Sequence, residues 1–299
     1  MEFNKIKGNT YYIVSGTNVG VFLFKDRYAL LIDTGNNNQQ ARKISEILKE
    51  NNINPKYIIN THHHIDHMGG DYFFKEHFSG SIIYTTQKEK IYMENDELFC
   101  MQLYGASPIK ELRKNFMNGK KLSVDHVLNE GIEKINNEKF EVLSLHGHTD
   151  GQLGLATRDG VCFLADALMG EETLRKYKIP FLTDIQKQLE TYEKIESLDY
   201  DIYILSHCQK TYDKGAIENL VRVNKENLQK YIDLSKELLQ QPKTREELLE
   251  EIIILEELKV DFEEYHFLYT TIGAILSYLY EKQGLKFQTE NGKLYYYQE

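Results

Sequence analysis

The sequence predicts an α/β fold with a small C-terminal helical domain. Three observations predict it. Runs rich in Val, Ile, Leu, Tyr and Phe alternate with helix-period segments over roughly the first two thirds of the chain. Loops bearing histidine and aspartate follow the β-like runs at their C-terminal ends, where layered α/β proteins collect ligands. After about Lys214 the pattern changes to long amphipathic segments closed by one β-like pair. The expected division is therefore residues 1–214 and residues 215–299, with a helical insertion at about 87–125.

The first 35 residues read as strands over Thr10–Val14, Val19–Lys25 and Tyr28–Ile32, separated by Ser-Gly-Thr-Asn and Lys-Asp-Arg turn material. Asp33-Thr34-Gly35 ends the third. A helix is expected from about Gln40 to Asn51, with Ala41, Ile44, Ile47 and Leu48 on one stripe. Pro55 closes the link to a short buried strand, Tyr57–Ile59. Then comes Thr61-His62-His63-His64-Ile65-Asp66-His67-Met68-Gly69-Gly70, leading into a helix to about Lys75 and a strand at Ser81–Thr85.

Residues 87–125 read as short helices with exposed aromatics, fit to wall a pocket or to patch the core. Strands return at Phe140–Leu145, Gly151–Thr157 and Val161–Leu164. A helix over Ile185–Leu198 and a strand over Tyr200–Leu205 follow. Beyond Lys214, a long helix buries Ile217, Leu220, Val221, Leu228, Tyr231 and Leu238. Thr244-Arg245-Glu246-Glu247 is a capping box for a second helix. A third covers roughly Phe267–Gln283, and Asn291-Gly292 turns a final hairpin. Three helices and a hairpin outline a winged-helix-like module. Only Lys286 and Lys293 are basic in that wing and the helices are acidic, so packing or homodimerisation is expected of it rather than nucleic-acid binding.

Composition bounds the function. The 299 residues carry a net charge of −10, which argues against sequence-independent nucleic-acid binding. Three scattered cysteines, Cys100, Cys162 and Cys208, suit a reducing compartment. No apolar leader or long apolar run is readable, so a cytoplasmic protein with no membrane span is expected.

Seven side chains have metal-ligand chemistry in a suggestive order: His62, His64, Asp66 and His67 in one run, then His148, Asp166 and His207 singly after strands. Imidazole and carboxylate suit zinc, with iron and manganese as alternatives, and two such ions side by side make a hydrolytic centre. In a tight loop, His62 and His64 can turn to one point and Asp66 and His67 to its neighbour. His148 then completes the first ion's ligands and His207 the second's, and Asp166 bridges them. His63, His77, His126 and His266 are read as structural, and His146 as pocket-lining at most. Asp33 is expected to brace a liganding imidazole, with Thr61 and Thr149 as weaker candidates for the same role.

The HxHxDH run, Gly147-His148-Thr149, the later Asp166 and His207, and the early Asp33-Thr34-Gly35 together resemble the metallo-β-lactamase superfamily over about residues 8–214. That resemblance implies a four-layer αββα sandwich with two divalent metal ions at one edge of its sheets. It also carries the same seven ligands over. Asp166 argues against true β-lactamase activity, and His64 against the flavodiiron branch, which has Glu there. Asp150 stands where the family commonly has Pro, and Ser206 where it has Gly. The expected activity is hydrolysis of a small ester, thioester or lactone by a bridging hydroxide, with Asp66 as the catalytic side chain. The alternative is a phosphodiesterase or ribonuclease, which needs a basic track. Lys110, Arg113, Lys114, Lys120 and Lys121 are the local candidates for one.

Overall fold

The structure, a computed structural model, describes residues 1–117 and 121–298, so Lys120 lies outside the described residues. Two sheets form its centre. The first holds β1 (Glu2–Lys7), β2 (Thr10–Val14), β3 (Val19–Leu23) and β4 (Tyr28–Ile32). The chain then passes through helix α1 (Asn38–Glu50) to β5 (Asn54–Ile59), and through α2 (Ile65–Met68) and α3 (Asp71–His77) to β6 (Ile82–Thr86). Three insertion helices follow, α4 (Gln87–Glu94), α5 (Glu97–Tyr104) and α6 (Lys110–Phe116), before β7 (His126–Leu128) closes the sheet. The strands lie in sequence order, antiparallel from β1 to β4 and parallel from β4 to β7.

The second sheet contains β8 (Gly131–Ile135), β9 (Glu138–Ser144), β10 (Leu153–Thr157) and β11 (Val161–Phe163). After a 3-10 turn at Ala165–Ala167 come α7 (Glu171–Tyr177) and α8 (Ile185–Ser197), then β12 (Ile202–Ile204), which pairs parallel to β11 at the sheet edge. The tail is α9 (Lys214–Leu238), α10 (Arg245–Leu255), α11 (Phe262–Gln283) and the hairpin β13 (Lys286–Glu290) with β14 (Lys293–Tyr297).

Side-chain alternation with period two sorts the residues into layers. Val21, Leu31 and Ile58 face α1 and α3 in one apolar cluster. Their neighbours Phe22, Leu30 and Ile59 face the opposite way and meet Phe140, Val142, Leu155 and Phe163 of the second sheet. Leu143, Cys162 and Tyr203 point outward from that sheet and pack on α8 to α11 in a third cluster. The result is the expected αββα sandwich. The C-terminal helices belong to its outer helical layer.

The structure departs from the sequence reading at several boundaries. The first strand, β1, is half-exposed and polar, so it carries no alternation strong enough to read. Pro55 lies inside β5, at a register shift where Ala29 pairs with Pro55 and Leu30 with Tyr57. Such irregularities are where a strand tolerates proline. α11 begins at Phe262 because Asp261 and Glu264 form a second capping box. In the insertion, Met93, Phe99, Leu103 and Leu112 are buried, so most of its apolar residues pack inward.

Candidate metal centre

Parallel strands bring their C-terminal ends to one edge, and the proposed ligands arrive there. β5 delivers the His62–His67 loop, β9 the loop of His148, β11 the turn of Asp166 and β12 His207. Gly69 permits the first loop to close. A Cβ there would meet the Asn36 carbonyl oxygen at 2.1 Å. Gly147 lies at φ +129, a conformation open to glycine, where a Cβ would strike Gln188. Asp33 and Ala165 hold positive φ without being glycine, at 63 and 50, so strained backbone brackets the site.

All seven predicted residues converge. Ligand atoms of His62, His64 and His148 lie within 4.8 Å of one another, as do those of Asp66, His67 and His207 and those of His62, His67 and Asp166. His148 Nε2 faces His64 Nδ1 at 3.0 Å. Asp166 Oδ2 is 3.3 Å from His207 Nε2, 3.5 Å from His67 Nε2 and 3.6 Å from His148 Nε2, so it stands between the two groups. Asp66 Oδ2 lies 3.3 Å from His207 Nε2 and 3.4 Å from His67 Nε2.

The outer ring nitrogens fix the tautomers. His148 Nδ1 donates to the Phe181 carbonyl at 2.9 Å and His207 Nδ1 to the Gly16 carbonyl at 3.0 Å. A carbonyl can only accept, so both protons sit on Nδ1. His67 Nδ1 donates to Asp33 Oδ2 at 2.8 Å. Thr61 Oγ1 donates to the same oxygen at 2.9 Å and is left to accept from His62 Nδ1 at 3.1 Å. Asp33 and Thr61 thus brace two imidazoles, with each Nε2 turned inward. His62 Nε2, His67 Nε2 and Asp166 Oδ1 are buried with no hydrogen-bond partner. Buried polar atoms left this way are costly unless a further partner is bound. Imidazole and carboxylate donors aimed at two points fit a pair of divalent cations.

Charge separates the cluster. Burial above all drives the imidazoles of His62, His64 and His148 below their ordinary value. Burial opposes charge on His207 too, but Asp166 and then Asp66 raise it to about 11. Against the same burial, Asp66, Asp166 and Asp33 raise His67 well above its usual value. In return, Asp66 and Asp166 are held well below the usual carboxylate range by these imidazoles, although burial works to raise them.

The remaining histidines serve elsewhere. His63 points away from the cluster, with Nδ1 on Glu89 Oε2 at 2.5 Å and its ring stacked on Tyr92. His77 bonds the Phe73 carbonyl, His126 stacks on Tyr84 and His266 packs against Tyr104. His146 is half-buried and outside the three ligand groups. Thr149 braces no imidazole and bonds Glu89 instead, at 2.6 Å.

Sequence reasoning missed Glu89, which is 1% exposed. It accepts from His63 N and Nδ1 on one ligand loop and from Thr149 Oγ1 and Gly151 N on the other. Nothing in a charged helix start marks it. The Gly16-Thr17 turn was also missed. Thr17 donates to Asp66 Oδ2 at 3.1 Å. Because β3 runs antiparallel to β4, the turn before β3 falls at the same edge as the end of β4.

Comparison with known proteins agrees with this geometry. The description "Metallo-beta-lactamase superfamily" matches residues 12–207. A hydroxyacylglutathione hydrolase 1 from Vibrio vulnificus (strain YJ016) is 27% identical over 218 residues, covering 72% of this chain and 71% of its own. A hydroxyacylglutathione hydrolase from Prochlorococcus marinus (strain MIT 9301) is 26% identical over 221 residues, covering 73% and 74%. A metallo-beta-lactamase family protein from Thermus thermophilus superposes with a TM-score of 0.75 at 19% identity, over 97% of this chain and 99% of its own.

Proposed function

The chain belongs to the metallo-β-lactamase superfamily and is a metal-dependent hydrolase, and on that premise we propose that it opens small thioesters and esters, lactones included, at a two-metal centre. The observation that carries this reading is Asp166, set between two histidine groups in which the inward Nε2 atoms of His62 and His67 are buried without a hydrogen-bond partner. His62, His64 and His148 would hold one cation, Asp66, His67 and His207 the other, and Asp166 both. Zinc suits this donor set, as do iron(II) and manganese. Bound there, the two cations supply Lewis acidity and a water made nucleophilic at neutral pH.

The protein's own groups do the rest. Asp66 lies at the cleft floor beside His207, held by Thr17, where it can orient the attacking water. The water oxygen bonds to the carbonyl carbon and the carbon–sulfur or carbon–oxygen bond breaks. The products are a carboxylate, a proton and a thiol or alcohol. Thioesters head the list because the relatives quoted above are named as hydrolases of an acylated thiol. The free cysteines support a reducing, cytoplasmic setting, and no helix among the described residues is long and apolar enough to cross a membrane.

Nucleic-acid cleavage finds no support in the charge around the site. The cleft is lined by Glu172, Glu257, Asp261, Glu263 and Glu264 against Lys176, Lys178 and Lys259. Arg113 is paired with Glu97, and neither it nor Lys110, Lys114 or Lys121 lines the cleft.

Metal analysis joined to a substrate panel tests the proposal. Two equivalents of metal and turnover of a thioester or ester are expected. Asp166→Asn should retain the fold, lose at least one equivalent and lose activity by about a hundredfold or more, in line with removal of a principal electrostatic group. A fully loaded protein that opens no thioester, ester or lactone would sink the reading.

A further inference from the structure

We propose that the cleft above the centre is an acyl-binding pocket, so that the preferred substrates carry an apolar acyl group longer than acetyl. This rests on the hydrolase reading and narrows it. A cavity of about 870 Å³ has Asp66, His148, Asp166 and His207 at its floor. That is the size of a pocket that encloses a whole small molecule. Its apolar wall comes from two parts of the chain. Leu174, Ile179 and Phe181 come from α7 and the segment after it, and Val260, Phe267 and Leu268 from the end of the α10–α11 link and the start of the C-terminal helix α11.

The wall reaches the reacting end. The Phe181 ring lies 5.4 Å from the His64 ring and 5.5 Å from the His148 ring. Phe267 continues the surface at 5.3 Å from Phe181. The wall is also fixed in place. Pro180 O accepts from Thr271 Oγ1 of α11, Leu182 N donates to the same hydroxyl, and Lys178 O accepts from Asn227 of α9. A preformed apolar wall favours an acyl chain without the cost of ordering loops. A carbonyl held over the cations would place its acyl group along Phe181 and Phe267. Hydrolysis there consumes one water, breaks the carbon–sulfur bond and releases a fatty carboxylate, a proton and the thiol.

The test uses the full-length, metal-loaded protein and two series. One is acetyl, butanoyl, hexanoyl and octanoyl thioesters of an uncharged thiol, read as kcat/KM. The other is the corresponding straight-chain carboxylates, read as binding by calorimetry. Both should improve about fourfold per buried methylene until the wall is covered. Phe267→Ala, and separately Val260→Asp, should each lower the octanoyl-to-acetyl ratio at least tenfold with an unchanged circular dichroism spectrum. Flat chain-length dependence in both series overturns the pocket while leaving the hydrolase reading intact. If no thioester turns over, the hydrolase reading is what fails, and the carboxylate series alone decides the pocket: tightening supports it and a flat series overturns it.

Discussion

Glu89 shows how much a single buried carboxylate can organise. Its four hydrogen bonds join the loop of His62 and His64 to the loop that follows His148. Its acidity is strengthened by the partners, with His63 foremost, against the burial that works to raise it. Each carboxylate oxygen serves one loop, so replacing Glu89 by Gln sets an amide donor against the donors of one loop and leaves the other loop its acceptor. Glu89→Gln should cost roughly 1–3 kcal/mol of stability and lower metal content at the His62, His64 and His148 group. Denaturant unfolding and metal stoichiometry would read this, and unchanged values in both would show that the clamp is idle. Asp71 is the opposite case. It is buried, accepts from Thr34 and Asn60, and is pushed up to about 7 by burial. A carboxyl raised in the fold keeps its proton after the unfolded chain has lost it. Stability therefore falls as pH rises from about 4 to about 7, by at most about 1.4 kcal/mol per unit, and is flat above that window. Asp71→Asn should remove this loss, so its thermal midpoint should exceed the wild type's at pH 8 but not at pH 4. Parallel profiles would contradict the assignment.

At the scale of elements, α11 is tied to the candidate metal centre through three consecutive residues, Pro180 to Leu182. Thr271 bonds Pro180 and Leu182, and the carbonyl between them, that of Phe181, orients His148. Thr271→Val keeps the volume but removes both bonds. The expected result is a modest drop in thermal midpoint with a loss of about tenfold in kcat/KM or in retained metal, as for other changes to groups that orient a ligand. Rates and loading within twofold of wild type would show that the loop holds itself. The helices themselves were readable from their stripes and caps. Thr244 and Glu247 form the expected capping box, and the Asn291-Gly292 turn carries φ 49 and 79 as such a hairpin requires. The start of α11 was not, because Phe262 to Phe267 are exposed or half-buried and the first buried residue, Leu268, lies seven residues after the N-cap Asp261.

Over the whole molecule, α8, the segment of Ile179 and Leu182, and the C-terminal helices cover the outward face of the second sheet. Leu220, Val221, Ile232, Leu249, Ile252, Ile272 and Leu279 are all buried there, each contributing roughly 1.5–3 kcal/mol. A chain ending at about residue 214 should therefore be insoluble or unfolded. A soluble, cooperatively unfolding fragment would show instead that residues 1–214 stand alone. The C-terminal segment also supplies one wall of the cleft, so its loss would remove part of the site as well as part of the core.

The amino-acid order by itself determined the alternation of strands and helices and the seven donor side chains that follow strand ends. Both depend on local signals: side-chain period, turn chemistry, and donor types at the ends of strands. Tertiary structure alone decided which groups hold those side chains in place. Glu89, Thr271, Phe181 and the Gly16 carbonyl lie far along the chain from the imidazoles they serve or sit on unremarkable helices and turns. Their roles come from burial and hydrogen-bond geometry between layers, which exist only once the sheets have packed.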